Sequence, residues 1–203
     1  MSKARNLAAF VANVLGVGGT AADARAGMAV PFELIENRTI TSPVSSVEFT
    51  SFPAGFDRFR LEVDGVAPTA DDTQFIVQLF VAGSWVVGGY GYIGLLIGQT
   101  AAVHFSATSE GSGQMVLATW GAGNKVGNAA GESLSASVEF NPKDTSSRRR
   151  FRIESDWTRP DGLDMGAKII GSYGSSAAAT GIRIVPSAST FKSGNVKLFG
   201  IRA

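Results

Sequence analysis

Along most of the chain, apolar residues recur at every second position. Phe59-Arg60-Leu61-Glu62-Val63-Asp64 sets Phe59, Leu61 and Val63 on one face and charges on the other, the period of a half-buried strand. Ser46–Phe49, Ser133–Phe140 and Arg150–Glu154 alternate in the same way. Residues 73–82 (TQFIVQLFVA) are apolar on both sides, with Phe75, Val77, Leu79 and Val81 opposite Ile76, Gln78 and Phe80, and predict a strand buried on both faces. Gly83-Ser84 follows as a turn. Residues 85–97 (WVVGGYGYIGLLI), cut by Gly88, Gly89, Gly91 and Gly94, predict a strand, a bend and a second strand. Further strands are predicted at 101–107, 113–120, 132–140, 148–157, 165–172, 180–186 and 194–202. With turn chemistry such as Asp64-Gly65 between them and no alternating βα units, these strands predict a mainly β fold, an antiparallel sandwich or jelly roll.

The first thirty residues follow another period. Leu7, Phe10, Val11, Val14 and Leu15 fall at i, i+3, i+4, i+7 and i+8, a helical stripe, with Ser2 as a cap and Gly16 as a stop. A helix this short needs a partner surface. Residues 16–30 (GVGGTAADARAGMAV) read as a joint of small residues. Gly16-Val17-Gly18-Gly19-Thr20 lacks the Gly-Lys-Ser/Thr ending of a phosphate loop. Lys3, Arg5 and the run after Leu7 have the outline of a secretory leader, but Asn6 and Asn13 interrupt it. The expected organisation is therefore an attachment segment and joint at 1–30 and a β domain at 31–203. No run of about 20 apolar residues is present, so membrane insertion is not expected.

Composition narrows the chemistry. Glycine contributes 25 of 203 residues, which disfavours long helices. Eighteen basic and 17 acidic residues leave a formal net charge of +1, so a nucleic-acid-coating role is not expected. The chain has no cysteine and one histidine, which excludes thiolate chemistry and a multi-histidine metal site within one subunit. His104, between Val103 and Phe105, reads as a surface or interface residue. No Gly-x-Ser-x-Gly elbow accompanies it.

Glu154 and Asp156 lie two apart on one strand face, the outline of a carboxylate pair for glycan hydrolysis. Asp71-Asp72 reads as turn chemistry, and no calcium-loop pattern occurs. Neither a cofactor nor a metal is expected. Arg148, Arg150 and Arg152 share one strand face, the pattern of a solvated edge strand or of ion pairs to a neighbouring subunit.

Three stretches together resemble bacteriophage tail-fibre and head-fibre proteins. The opening Ser2-Lys3-Ala4-Arg5-Asn6-Leu7-Ala8 is similar to the short leader of such fibres. Phe56-Asp57-Arg58-Phe59-Arg60-Leu61-Glu62-Val63-Asp64-Gly65-Val66-Ala67-Pro68-Thr69 resembles a strand recurring in them, with Val81-Ala82-Gly83-Ser84-Trp85 as a reduced form of the turn that follows the next strand. Gly181-Ile182-Arg183-Ile184-Val185-Pro186, then Ser193 to Ile201, is similar to their terminal hairpin.

The resemblance implies a non-enzymatic virion protein, a short tail fibre or head fibre assembled in the host cytoplasm. It implies docking of Leu7, Phe10, Val11, Val14 and Leu15 on a capsid or tail partner, and a homo-oligomer, a trimer by family analogy. On this reading, loops rich in Gly, Ser and Thr at 106–114, 120–131 and 172–180 are candidates for contact with a host surface glycan. Trp85, Tyr90, Tyr92, Trp120 and Trp157 either stack on sugar or pack in the core. The alternative classes are a secreted carbohydrate-binding β-sandwich module and, further off, a glycan depolymerase.

Overall fold

The computed structural model describes residues 32–98, 102–107, 114–118, 125–142, 149–175 and 177–202. The segment expected to serve attachment, with Leu7, Phe10, Val11, Val14 and Leu15, lies outside them. The described residues form thirteen strands: β1 (Glu33–Ile40), β2 (Val47–Phe49), β3 (Arg58–Pro68), β4 (Phe75–Val81), β5 (Ser84–Trp85), β6 (Tyr90–Gly98), β7 (Ala102–Ala107), β8 (Met115–Ala118), β9 (Leu134–Phe140), β10 (Arg149–Thr158), β11 (Asp164–Tyr173), β12 (Ala179–Pro186) and β13 (Phe191–Ile201).

The fold is an antiparallel β-sandwich. Eight strands make a large sheet in the order β1-β13-β3-β9-β10-β11-β6-β7. The small sheet runs β2-β12-β4-β5, with β8 also on β4. The anticipated strand at 73–82 is β4, and six of its seven residues are buried.

Alternation builds the core. Along β10 every second residue from Arg149 to Trp157 is buried and Arg150, Arg152, Glu154 and Asp156 are exposed. Register then joins like with like. Phe59, Phe140 and Phe151 are partners across β3, β9 and β10. Their rings stack at 6.0 and 5.9 Å, and Tyr90 of β6 extends the row with an edge contact 6.1 Å from Phe151. Such ring pairs add about 0.5–1.5 kcal/mol each to the burial of their area.

The two sheets are tied through this core. Phe75 of β4 meets Phe191 of β13 at 5.4 Å. The buried Ser155 hydroxyl on β10 donates to the Leu117 carbonyl on β8 at 2.6 Å. The Tyr90 hydroxyl accepts from the Leu79 amide of β4 at 2.9 Å.

Close packing explains two glycines. A Cβ on Gly200 of β13 would run into the Phe56 ring, and one on Gly181 of β12 would meet the Phe49 carbonyl. The β4–β5 hairpin turns on Ala82 and Gly83, both at positive φ (50° and 83°), the backbone of the two-residue turns that suit strand twist.

Two sequence expectations change. The stretch resembling a terminal hairpin is not one: β12 pairs with β2 and β4 in the small sheet, whereas β13 lies beside β3 in the large sheet. Pro186 to Thr190 therefore arches from one sheet to the other. The arginine-bearing strand is no edge either, because β10 pairs with β11 from Arg149 to Thr158 and with β9 from Phe151 to Trp157. The edge strand β1 has no clean alternation in sequence, and Leu34 within it is 53% exposed.

Candidate functional site

The outer face of the large sheet gathers most of the exposed chemistry, and register places it in rows. Arg60, Glu139 and Arg152 are partners across β3, β9 and β10. Glu62, Ser137 and Glu154 follow one step along, with Lys168 of β11 and Leu95 of β6 continuing their row. Ser135, Asp156, Gly166 and Ile97 come next. Arg58, Arg150 and Arg152 thus gather at one end of the face, and the other end mixes four carboxylates with Arg60, Lys168 and Lys197.

At the arginine end, Arg58, Glu139, Phe140, Asn141, Arg150 and Arg152 line a cleft of about 220 Å³. Arg60 stands beside Glu139 at 3.8 Å and Glu62 at 3.0 Å.

Further along, a wider depression of about 470 Å³ opens over the middle of the sheet. Ser135 and Ser137 of β9 form its floor, because their short side chains leave the space that longer neighbours on β3 and β10 enclose, and Gly166 of β11 leaves room beyond Asp156. One wall carries Arg60, Glu62, Asp64 and Lys197, the other Glu154, Asp156 and Lys168. Lys168 meets Glu154 at 3.2 Å and Lys197 meets Asp64 at 3.7 Å. Partial burial raises the Asp156 carboxyl above its ordinary pKa, and the Asp164 carboxylate adds to the shift. The Glu154–Asp156 pair anticipated from sequence therefore lines this depression.

A third feature lies on the β6–β11 side. Ile93 and Ile170 are register partners, 60% and 59% exposed, and Ile97 is 45% exposed. They form a ribbon of branched apolar side chains beside the charged rows, next to the edge strand β7. His104 of β7 is the register partner of Leu95.

The aromatic candidates separate. Tyr90 and Trp157 are core residues and offer no ring face to a sugar, because both lie on inward positions of their strands. Burial also pushes the Tyr90 hydroxyl pKa far up. Tyr92 is half-buried against the same core, and burial raises its hydroxyl pKa.

Trp85 is partly exposed on the small sheet. The Arg183 guanidinium covers it at 4.6 Å and Phe80 packs edge-on at 5.0 Å. Arg183 is itself held by Gln78 at 2.8 Å and Glu48 at 3.0 Å. Trp120 and Arg148 lie outside the described residues.

Arg150 and Arg152 face outward together, as expected, but Arg149 turns inward. Its Nε donates to the Pro142 carbonyl at 3.2 Å, its Nη1 to the Ser175 carbonyl at 2.9 Å, and its guanidinium lies over the Tyr173 ring. Sequence reasoning missed Arg58, Arg60, Ser135, Ser137 and the three isoleucines as members of one surface. Each sits at an outward position of an alternating strand, and only the register between distant strands assembles them.

Among the described residues, no group of three or more His, Asp or Glu side chains is placed to hold a metal. No described helix is long and apolar enough to cross a membrane. Compared with protein-family models, with curated proteins and with solved structures, the chain finds no match.

Proposed function

We propose that this chain is a non-enzymatic structural component of a phage particle, a short tail fibre or head fibre. Residues 1–30 dock it on a capsid or tail protein. The sandwich is the presented part, through which copies associate and a host surface glycan is held.

The observation that carries this reading is the outer face of the large sheet, which joins an exposed isoleucine ribbon to a broad, open polar depression. A ribbon of this kind beside charged rows is the composition of a contact surface. A shallow depression floored by serines suits a polymer lying across it. The stretch at 56–69 that resembles a fibre-protein strand supports the same reading. Residues 58–68 are β3 and residues 191–201 are β13, and they run side by side, with Gly200 pressed against Phe56.

The test has two parts. Light scattering of the purified chain should give three times its 21.1 kDa, and Ile93→Asp with Ile170→Asp should shift it to the monomer while leaving its melting temperature nearly unchanged. Gold-labelled antibody should find the protein on particles, and deletion of residues 1–15 should abolish incorporation. A monomer absent from particles would overturn the proposal and favour the secreted carbohydrate-binding module. The depolymerase alternative draws on Glu154 and Asp156 at the depression. Capsule degradation that is lost in Glu154→Gln or Asp156→Asn would establish it instead.

A further inference from the structure

We infer that the arginine end of the outer face is an anion subsite and that the glycan it takes is acidic with widely spaced charges. This rests on the glycan-adhesion reading above and names the chemistry of its ligand. Arg58, Arg150 and Arg152 converge on one cleft, and none of the three makes an ion pair with another described residue. Guanidinium groups present planar forks of donors matched to carboxylate, sulfate or phosphate oxygens. Glu139 is the one carboxylate in the lining and has Arg60 beside it, so three positive charges face one negative.

The volume of about 220 Å³ is below that of pockets that enclose a whole ligand, and fits one anionic group of a larger molecule. The remainder of that molecule has a marked route. The Arg60–Glu139–Arg152 row borders the cleft and leads toward the larger depression, where Ser135, Ser137, Glu62, Asp64, Glu154 and Asp156 wait. Hydroxyls of serine and oxygens of carboxylate are partners for sugar hydroxyls.

Arg60, Lys168 and Lys197 also line the depression, but each is paired with a carboxylate, Glu62, Glu154 and Asp64 in turn, so no free cation waits there for a second anion and Asp156 is left in surplus. A nucleic acid, with a phosphate on every residue, would lay its further charges where the cations are already paired and gain little from them. A polysaccharide alternating acidic and neutral sugars would set its anion in the cleft and its hydroxyls in the depression. Charge order along the face, unpaired arginines and then paired cations, therefore selects sparse anionic sugar over dense polyanion.

The test uses the full chain with hyaluronan as the alternating acidic glycan, dextran as the neutral one and single-stranded DNA as the dense polyanion. Binding is measured calorimetrically at about 0.05 M salt, where surface charge is little screened. Hyaluronan should bind, and Arg150→Ala with Arg152→Ala should weaken it at least about tenfold without changing the oligomeric state or melting temperature. Glu139→Gln should tighten it by a few fold, a gain that a merely structural role would not produce.

Dextran binding unaffected by the arginine variants would overturn the anion subsite and leave glycan adhesion standing. DNA bound as tightly as hyaluronan would overturn the selectivity in favour of a nucleic-acid surface. Loss of the oligomer in the arginine variants would make the cluster a subunit contact. Failure to bind any of the three would overturn the inference, while antibody labelling of particles decides the fibre reading separately.

Discussion

The two faces of the large sheet are made by the same strands and obey different rules. On β10 the inward set is Arg149, Phe151, Ile153, Ser155 and Trp157, and the outward set is Arg150, Arg152, Glu154 and Asp156. Inward residues have one acceptable environment, so a change there is paid in folding free energy. Outward residues are solvated in any case, so their arrangement is free to serve contact with something else. The comparison teaches where to look for function: in the order of residues across strands on the face that stability leaves unconstrained.

Substitutions can break that contrast. Phe140→Ala removes the middle ring of the Phe59–Phe140–Phe151 row and should cost about 3–5 kcal/mol in denaturant unfolding. Tyr90→Phe keeps the ring but leaves the buried Leu79 amide without its acceptor. The expected cost is about 1–3 kcal/mol, again by unfolding.

On the outer face, Glu154→Gln breaks the solvent-exposed pair with Lys168 and should move stability by less than about 0.5 kcal/mol. An outward change that cost as much as Phe140→Ala would dissolve the distinction.

Asp156 sharpens it through pH. Its carboxyl pKa is raised in the folded state, so folding favours the protonated form. The stability this contributes is complete below the ordinary carboxylate pKa and disappears as pH rises through the raised value. Thermal melts should therefore show Asp156→Asn slightly above the native chain at pH 7, and the gap should close as pH falls through the raised pKa. A gap that widened on acidification would contradict the direction of the shift.

Much of the sandwich was legible because burial on one face imprints a period of two. Phe59, Leu61 and Val63, or Leu134 through Phe140, announce both the strand and its buried side. The doubly buried β4 was equally plain, since Ile76 and Phe80 leave no polar face. β1 was hidden because an edge strand contacts little, and nothing forces Leu34 inward.

The arch between β12 and β13 was hidden for another reason. A four-residue connection, Ser187 to Thr190, fits either a hairpin within one sheet or a crossing between two, and only the partners of Ile184 and Val196 decide. The candidate surface was the least legible. Arg58 and Arg150 are separated by more than ninety positions, and alternation reports each as outward without reporting that they meet. Tyr90 and Trp157 show the converse: aromatic identity is shared by cores and sugar platforms, and strand parity settles which.

The order β1-β13-β3 also has a consequence in time. β13 leaves the ribosome after every other described strand, yet it is the plank between two of the earliest of them. Until synthesis passes Ile201, β1 has no neighbour, and β3 shows a bare hydrogen-bonding edge with Leu61 and Val63 beside it. The nascent sheet therefore waits, unfinished, while more than 130 residues after β3 are made. Its closure depends on pairing Asn195 with Asp64 and Ile201 with Arg58 across more than 130 residues. Contacts of such long sequence separation form slowly and leave sticky edges exposed meanwhile. A cell making many copies at once holds many such open edges together, so the yield of folded chains depends on how quickly that late strand finds its slot.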